Sequence, residues 1–195
     1  MLNDKLLTAM TAALFSVGLG LFGYVFYKNF SSGRSSAQLE TTGCVSGTLS
    51  KIMEDEYMEG MLDKGDSYQV LKDYYNCNGV KRGELVWFRI SAPIPPVVRI
   101  VAGLPGDRFE VVKDTKNEKR WLIKVNGEWI KTKNGDFFIE TDHTPPLKTY
   151  EISRKGVLRD GEYILFSNKA PSLSDSSNLG LIRKRSIEGK VVKGS

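Results

Sequence analysis

Histidine is nearly missing from this 195-residue chain, His143 being its one example. A Ser-His-Asp triad would have to use it, yet nothing in or near Thr141-Asp-His-Thr-Pro-Pro146 resembles a nucleophile elbow. Cysteine is almost as scarce. Cys44 and Cys77 are the only two, and two distant cysteines with one histidine make a poor zinc site. No metal or cofactor is therefore expected. No repeat of roughly 20–50 residues is visible, so a solenoid or propeller is not indicated. Charge is not clustered either. The formal net charge is +5, with basic residues spread along the chain and only Arg183-Lys184-Arg185 forming a run. That run reads as a solvated surface rather than a nucleic-acid site, and no nucleic-acid partner is expected.

What the sequence does contain is enough apolar material for a core, with 41% hydrophobic against 26% charged residues. Some of it is concentrated at the start. Leu6 to Tyr27 carries no charge and is rich in Leu, Ala, Phe and Gly. As a helix it would span roughly 33 Å, enough for the ~30 Å hydrocarbon layer of a bilayer. A cleaved signal peptide has a shorter apolar region, about 7–15 residues, ending at a small-x-small site. Here the plausible site, Ser35-Ser36-Ala37, lies eight residues past the end of the apolar run, so a retained anchor over residues 1–30 is favoured. Within it, Gly18-x-Gly20-x-x-Gly23 matches the letters of a dinucleotide fingerprint by accident, since no strand precedes it. Ala12, Ser16 and Gly20 are spaced four apart and would allow a second membrane helix to approach. Lys5 before the span and Lys28 and Arg34 after it nearly balance, leaning slightly toward a cytoplasmic C-terminal domain. A disulfide between Cys44 and Cys77 would require an oxidising compartment, whereas two buried thiols would not.

Residues 31–43 read as a linker that includes the polar Ser31-to-Ser36 stretch. From residue 44 to 195 the pattern is β. Short β-branched and aromatic runs occur at Glu84–Ile90, Val97–Ala102, Phe109–Val112, Trp121–Val125, Phe137–Glu140 and Tyr163–Phe166. Turn residues such as Pro105-Gly-Asp107, Asn126-Gly127 and Asp160-Gly161 separate them. Asn126-Gly127 is a two-residue hairpin signal. Glu54 to Tyr75 has room for a helical turn or two, but nothing long and periodic. The predicted domain is all-β, of short antiparallel strands with a barrel-like sheet, and residues 110–158 form an inserted lobe.

Four segments carry a resemblance, in order along the chain. Tyr57-Met-Glu-Gly-Met-Leu-Asp-Lys-Gly-Asp66 comes first, then Arg82-Gly-Glu-Leu-Val-Trp-Phe88. Val97-Val-Arg-Ile-Val-Ala-Gly-Leu-Pro-Gly-Asp107 is the most specific. Asp160-Gly-Glu-Tyr-Ile-Leu-Phe166 with Ser174-Asp-Ser-Ser-Asn-Leu-Gly180 follows, and Lys190 lies in a closing Glu-Gly-Lys-Val. Together these resemble the type I signal peptidases, membrane-anchored serine endopeptidases in which a neutral lysine activates a serine. The resemblance implies a signal-peptidase-like fold and a single-pass protein of the inner (plasma) membrane with its β domain on the extracytoplasmic side. It also implies signal or leader peptides, held as an added strand, as partners beside the lipid bilayer.

The departures bear on activity. The nucleophile position aligns with Tyr57 and the base position with Arg99, which cannot release its proton in a protein. Asp175 and Ser176 remain from the supporting motif, while Leu173 and Ser177 replace other members of it. The expectation is a catalytically degenerate member that binds leader peptides or serves as a subunit of a secretion or conjugative-transfer machine. The alternative is an active endopeptidase with a relocated pair, drawn from Ser46, Ser50 or Ser67 and Lys81 or Lys113. A structural role is also open to Tyr57 and Arg99: the two would stack, or Arg99 would pair with Asp55, Glu56 or Asp175.

Overall fold

The computed structural model describes residues 44–194. The anchor, the Ala12/Ser16/Gly20 face and the whole linker lie outside the described residues. Among those described, no helix is long and apolar enough to cross a membrane.

Seven strands form the main sheet, every neighbouring pair antiparallel. Its members are β1 (Gly47–Ile52), β2 (Ser67–Lys72), β3 (Leu85–Phe88), β4 (Val97–Gly103), β11 (Glu162–Phe166), β12 (Ile182–Arg183) and β13 (Ile187–Lys193). The spatial order is β1-β2-β13-β3-β4-β11-β12, so the last strand is inserted between the second and third. A second sheet is built from the chain between β4 and β11. It contains β5 (Phe109–Lys113), β6 (Arg120–Val125), β7 (Glu128–Trp129) and β10 (Phe138–Glu140), beside a small β8–β9 hairpin (Lys131–Thr132, Gly135–Asp136). The β6–β7 turn is the one expected: Asn126 and Gly127 both have positive φ, 51° and 84°, as a tight primed turn requires.

Alternation along the strands sorts the apolar residues into three buried clusters. Val86, Phe88, Val101 and Leu165 enter one, with Tyr75 and Ile187. Trp87, Val98, Val70 and Val191 enter another, closed by Met53, Met58 and Leu62 from the β1–β2 connection. The third joins the two sheets through Phe109, Ile123, Phe137, Ile164 and Phe166, and the rings of Phe137 and Phe166 lie 4.2 Å apart between centroids.

Helical elements depart from an all-β reading, among them one turn of α-helix at Ser176–Leu179 and one longer helix. Pro146–Arg154 is a nine-residue α-helix, α1, whose Leu147 is fully buried against the second sheet's cluster. Proline suits its first turn, where the missing N–H has no partner to lose. Lys155 ends it in the left-handed conformation, φ 52°. The domain is mostly β rather than wholly so. The basic run is solvated as expected, with Arg183 and Arg185 exposed, and it is also tied to the fold. Arg183 reaches the fully buried Glu162 at 3.1 Å, and Lys184 donates to the Tyr75 carbonyl at 2.8 Å.

Candidate functional site

Two elements bring Tyr57 and Arg99 together. Arg99 is the third residue of β4, opposite Val86 of β3, in the interior of the main sheet. Strand pairing on both sides of β4 fixes its position, and its side chain is completely buried. Tyr57 lies on the connection between β1 and β2, just before Met58, which is itself buried without residue. Hydrophobic anchoring by Met58 and Leu62 thus holds the turn against the sheet, while Tyr57 keeps partial exposure.

The turn is also tied by polar contacts that the sequence did not advertise. Asn168, two residues past β11, donates its backbone N–H to the Tyr57 carbonyl at 2.7 Å and its side-chain amide to the Glu59 carbonyl at 2.8 Å. Its side-chain oxygen accepts from the Lys133 backbone N–H at 3.2 Å. Lys133 pairs with Glu59 at 2.7 Å and Lys169 with Glu56 at 3.1 Å. Asp55 accepts the Tyr57 backbone N–H at 2.9 Å. Gly60 closes the turn at φ 86°, where a Cβ would sit 3.2 Å from Lys133. The roles of Asn168 and Lys133 depend on loops distant in sequence, which no local motif reveals.

The Arg99 guanidinium lies 5.2 Å from the centroid of the Tyr57 ring, a cation–π arrangement. Its Nη1 donates to the Val98 carbonyl at 2.5 Å and lies 3.9 Å from Asp55 Oδ2. Of the three acids expected as partners, Asp55 is therefore the one in ion-pair range, and Glu56 is taken by Lys169. Burial pulls the Arg99 guanidinium below its ordinary value, while Asp55, Asp175 and Tyr57 push it back up. Its Nε and Nη2 have no hydrogen-bond partner among the described residues.

Asp175 and Ser176 are buried next to β11 and hold the chain that follows that strand. Asp175 accepts from the backbone N–H groups of Ser167 and Ser177, at 3.0 and 2.9 Å, and from the hydroxyls of both serines. Ser176 Oγ accepts the Leu165 N–H at 2.9 Å. Both residues act as scaffold here. Leu173, the residue aligned with the supporting serine, is 71% exposed.

The relocated candidates are scattered. Ser46 donates to Asp73, Ser50 is on edge strand β1, and Ser67 opens β2. Lys81 lies before β3, and Lys113 ends β5 in the other sheet, 5.6 Å from the Trp121 ring centroid. Among the described residues no lysine ammonium is hydrogen-bonded to a seryl hydroxyl. His143 is exposed in the loop before α1. No group of three or more potential metal ligands occurs among the described residues.

The glycines and the acid of Gly103-Leu-Pro-Gly-Asp107 each have a physical reason. A Cβ on Gly103 would sit 2.8 Å from Leu158 and 3.0 Å from Ile164, so only glycine lets β4 lie this close to β11. Gly106 turns at φ 88°. Asp107 then accepts from the Leu104 N–H at 2.5 Å, from Arg82 at 2.6 Å and from the Asn126 amide at 2.8 Å. This architecture is that of a mostly β protein with antiparallel sheets. The family model for signal peptidase, peptidase S26, matches residues 49–193, and the chain belongs to that family. Among solved structures, a signal peptidase I from Enterococcus faecalis V583 is 21% identical, with a TM-score of 0.38 over 58% of this chain and 97% of that one. No curated relative matches the chain.

Proposed function

We propose that this protein is a membrane-anchored, non-cleaving member of its family that holds signal or leader peptides as extended strands. It would do so outside the cytoplasm, alone or as a subunit of a secretion or conjugative-transfer machine. One observation carries the reading: the positions aligned with nucleophile and base are filled by an aromatic ring stacked on a buried guanidinium. A guanidinium has no lone pair available to accept a proton at neutral pH, and a phenol without a base is a poor acyl acceptor. Strand addition depends on main-chain hydrogen bonds and not on a nucleophile, so binding survives the exchange. The Cys44–Cys77 disulfide supports an oxidising compartment for the β domain.

The test uses the full chain in detergent with pre-proteins and fluorescent leader peptides. No cleavage over prolonged incubation, with saturable binding by anisotropy, is the expected result. Cleavage abolished by a single Ser→Ala change would instead establish an endopeptidase with relocated residues.

A further inference from the structure

A guanidinium offers two parallel N–H bonds along its Nε–Nη2 edge, spaced to receive both oxygens of a carboxylate. In Arg99 that edge is buried and without a partner among the described residues, whereas Nη1 is occupied by the Val98 carbonyl. The nearby acids are engaged elsewhere. Asp175 takes four hydrogen bonds from Ser167 and Ser177. Asp55 faces Nη1 and takes the Tyr57 N–H, while Glu56 and Glu59 pair with Lys169 and Lys133. A buried fork of this kind is costly unless something completes it. The ring of Tyr57, a partly exposed side chain on a turn, has its centroid 5.2 Å from the guanidinium carbon.

We propose that the Nε–Nη2 edge of Arg99 receives a peptide carboxylate, with Tyr57 as its cover. The inference rests on the peptide-binding reading above and narrows it to acidic peptides. The carboxylate is either a free C-terminus or an Asp or Glu side chain; both present the same two oxygens. Cation–π contact with the Tyr57 ring holds the empty guanidinium until the carboxylate arrives.

The experiment compares one short fluorescein-labelled, alanine-rich leader peptide in four forms, by anisotropy against the full chain in detergent. The forms are the free acid, the C-terminal amide, and amides carrying one internal Asp or Asn. Expected is a preference of about tenfold or more for an acidic form over its neutral counterpart, as charge-assisted bonds to a buried group imply. Preference for the free acid over its amide identifies the terminus as the ligand, and preference for Asp over Asn identifies the side chain. Arg99→Lys, which keeps charge but loses the fork, should shrink the preference to less than about threefold. Tyr57→Ala should tighten the acidic form without changing the neutral one. Equal binding of all four forms would overturn the carboxylate site and leave peptide binding standing. Binding of none would overturn peptide binding and the site with it. An acid preference that Arg99→Lys leaves intact would move the site away from Arg99. If that variant fails to fold, Arg99→Met takes its place and should abolish the preference, whereas a preference that it leaves intact would likewise move the site away from Arg99.

Discussion

A cation whose folded-state pKa is depressed works against folding at every pH where it carries its charge. Arg99 is such a group, because burial outweighs the help of Asp55, Asp175 and Tyr57. Replacing it by methionine removes the uncompensated charge and leaves Asp55, whose side chain is 37% exposed, free to be solvated. Arg99→Met is therefore expected to stabilise the domain by about 1–3 kcal/mol in urea unfolding. A loss of stability would show that Arg99 is better compensated than its hydrogen bonds indicate. Asp107 illustrates the opposite sign. Burial acts to raise its carboxyl, but the Leu104 N–H, Asn126 and Arg82 together hold it below the usual range. Its contribution is fully present above the ordinary carboxylate pKa and is lost as pH falls through the lowered value. Asp107→Asn should cost about 1–3 kcal/mol at neutral pH, shrinking toward zero on acidification, as read from melting curves at several pH values.

At the scale of elements, β13 is confined by its neighbours. A Cβ on Gly189 would lie 2.7 Å from the Leu71 carbonyl and 2.8 Å from Val70, and both belong to paired strand β2. Gly189→Ala must therefore shift the backbone, and a loss of about 1–3 kcal/mol is expected in chemical denaturation. How legible the elements were follows from their surroundings. β5, β6 and β11 are rich in β-branched and aromatic residues and were readable directly. β1 was not: Gly-Thr-Leu-Ser-Lys-Ile has its last three residues exposed on a sheet edge, so burial imposes little pattern on it. The helix α1 is short, follows one proline and opens on another, and buries one residue completely among its nine, which leaves almost no periodic signal. For the site, the ordered motifs brought Tyr57 and Arg99 to attention. Local sequence could not reveal that Asn168 fastens the Tyr57 turn from across the domain, since that depends on the course of the chain after β11.

For the molecule as a whole, Cys44 and Cys77 form a disulfide with their Cα atoms 5.9 Å apart. This settles the alternatives that the cysteine count left open, at the level of the folded domain. Closing a loop with a sequence separation of 33 is expected to contribute about 2–4 kcal/mol. Cys44→Ser should lower stability by that amount, and dithiothreitol should do the same to the unaltered chain but nothing further to the variant. The bridge also sets how the domain bears a pull. Strand β1 begins three residues after Cys44 and lies on the sheet edge, hydrogen-bonded only to β2. Traction on the preceding segment would unzip such an edge strand one hydrogen-bonded pair at a time. Because Cys44 is joined to Cys77, the load bypasses β1 and enters the chain near the end of β2 through a covalent bond. A pull applied through the residues before Cys44 then reaches this domain without peeling its sheet.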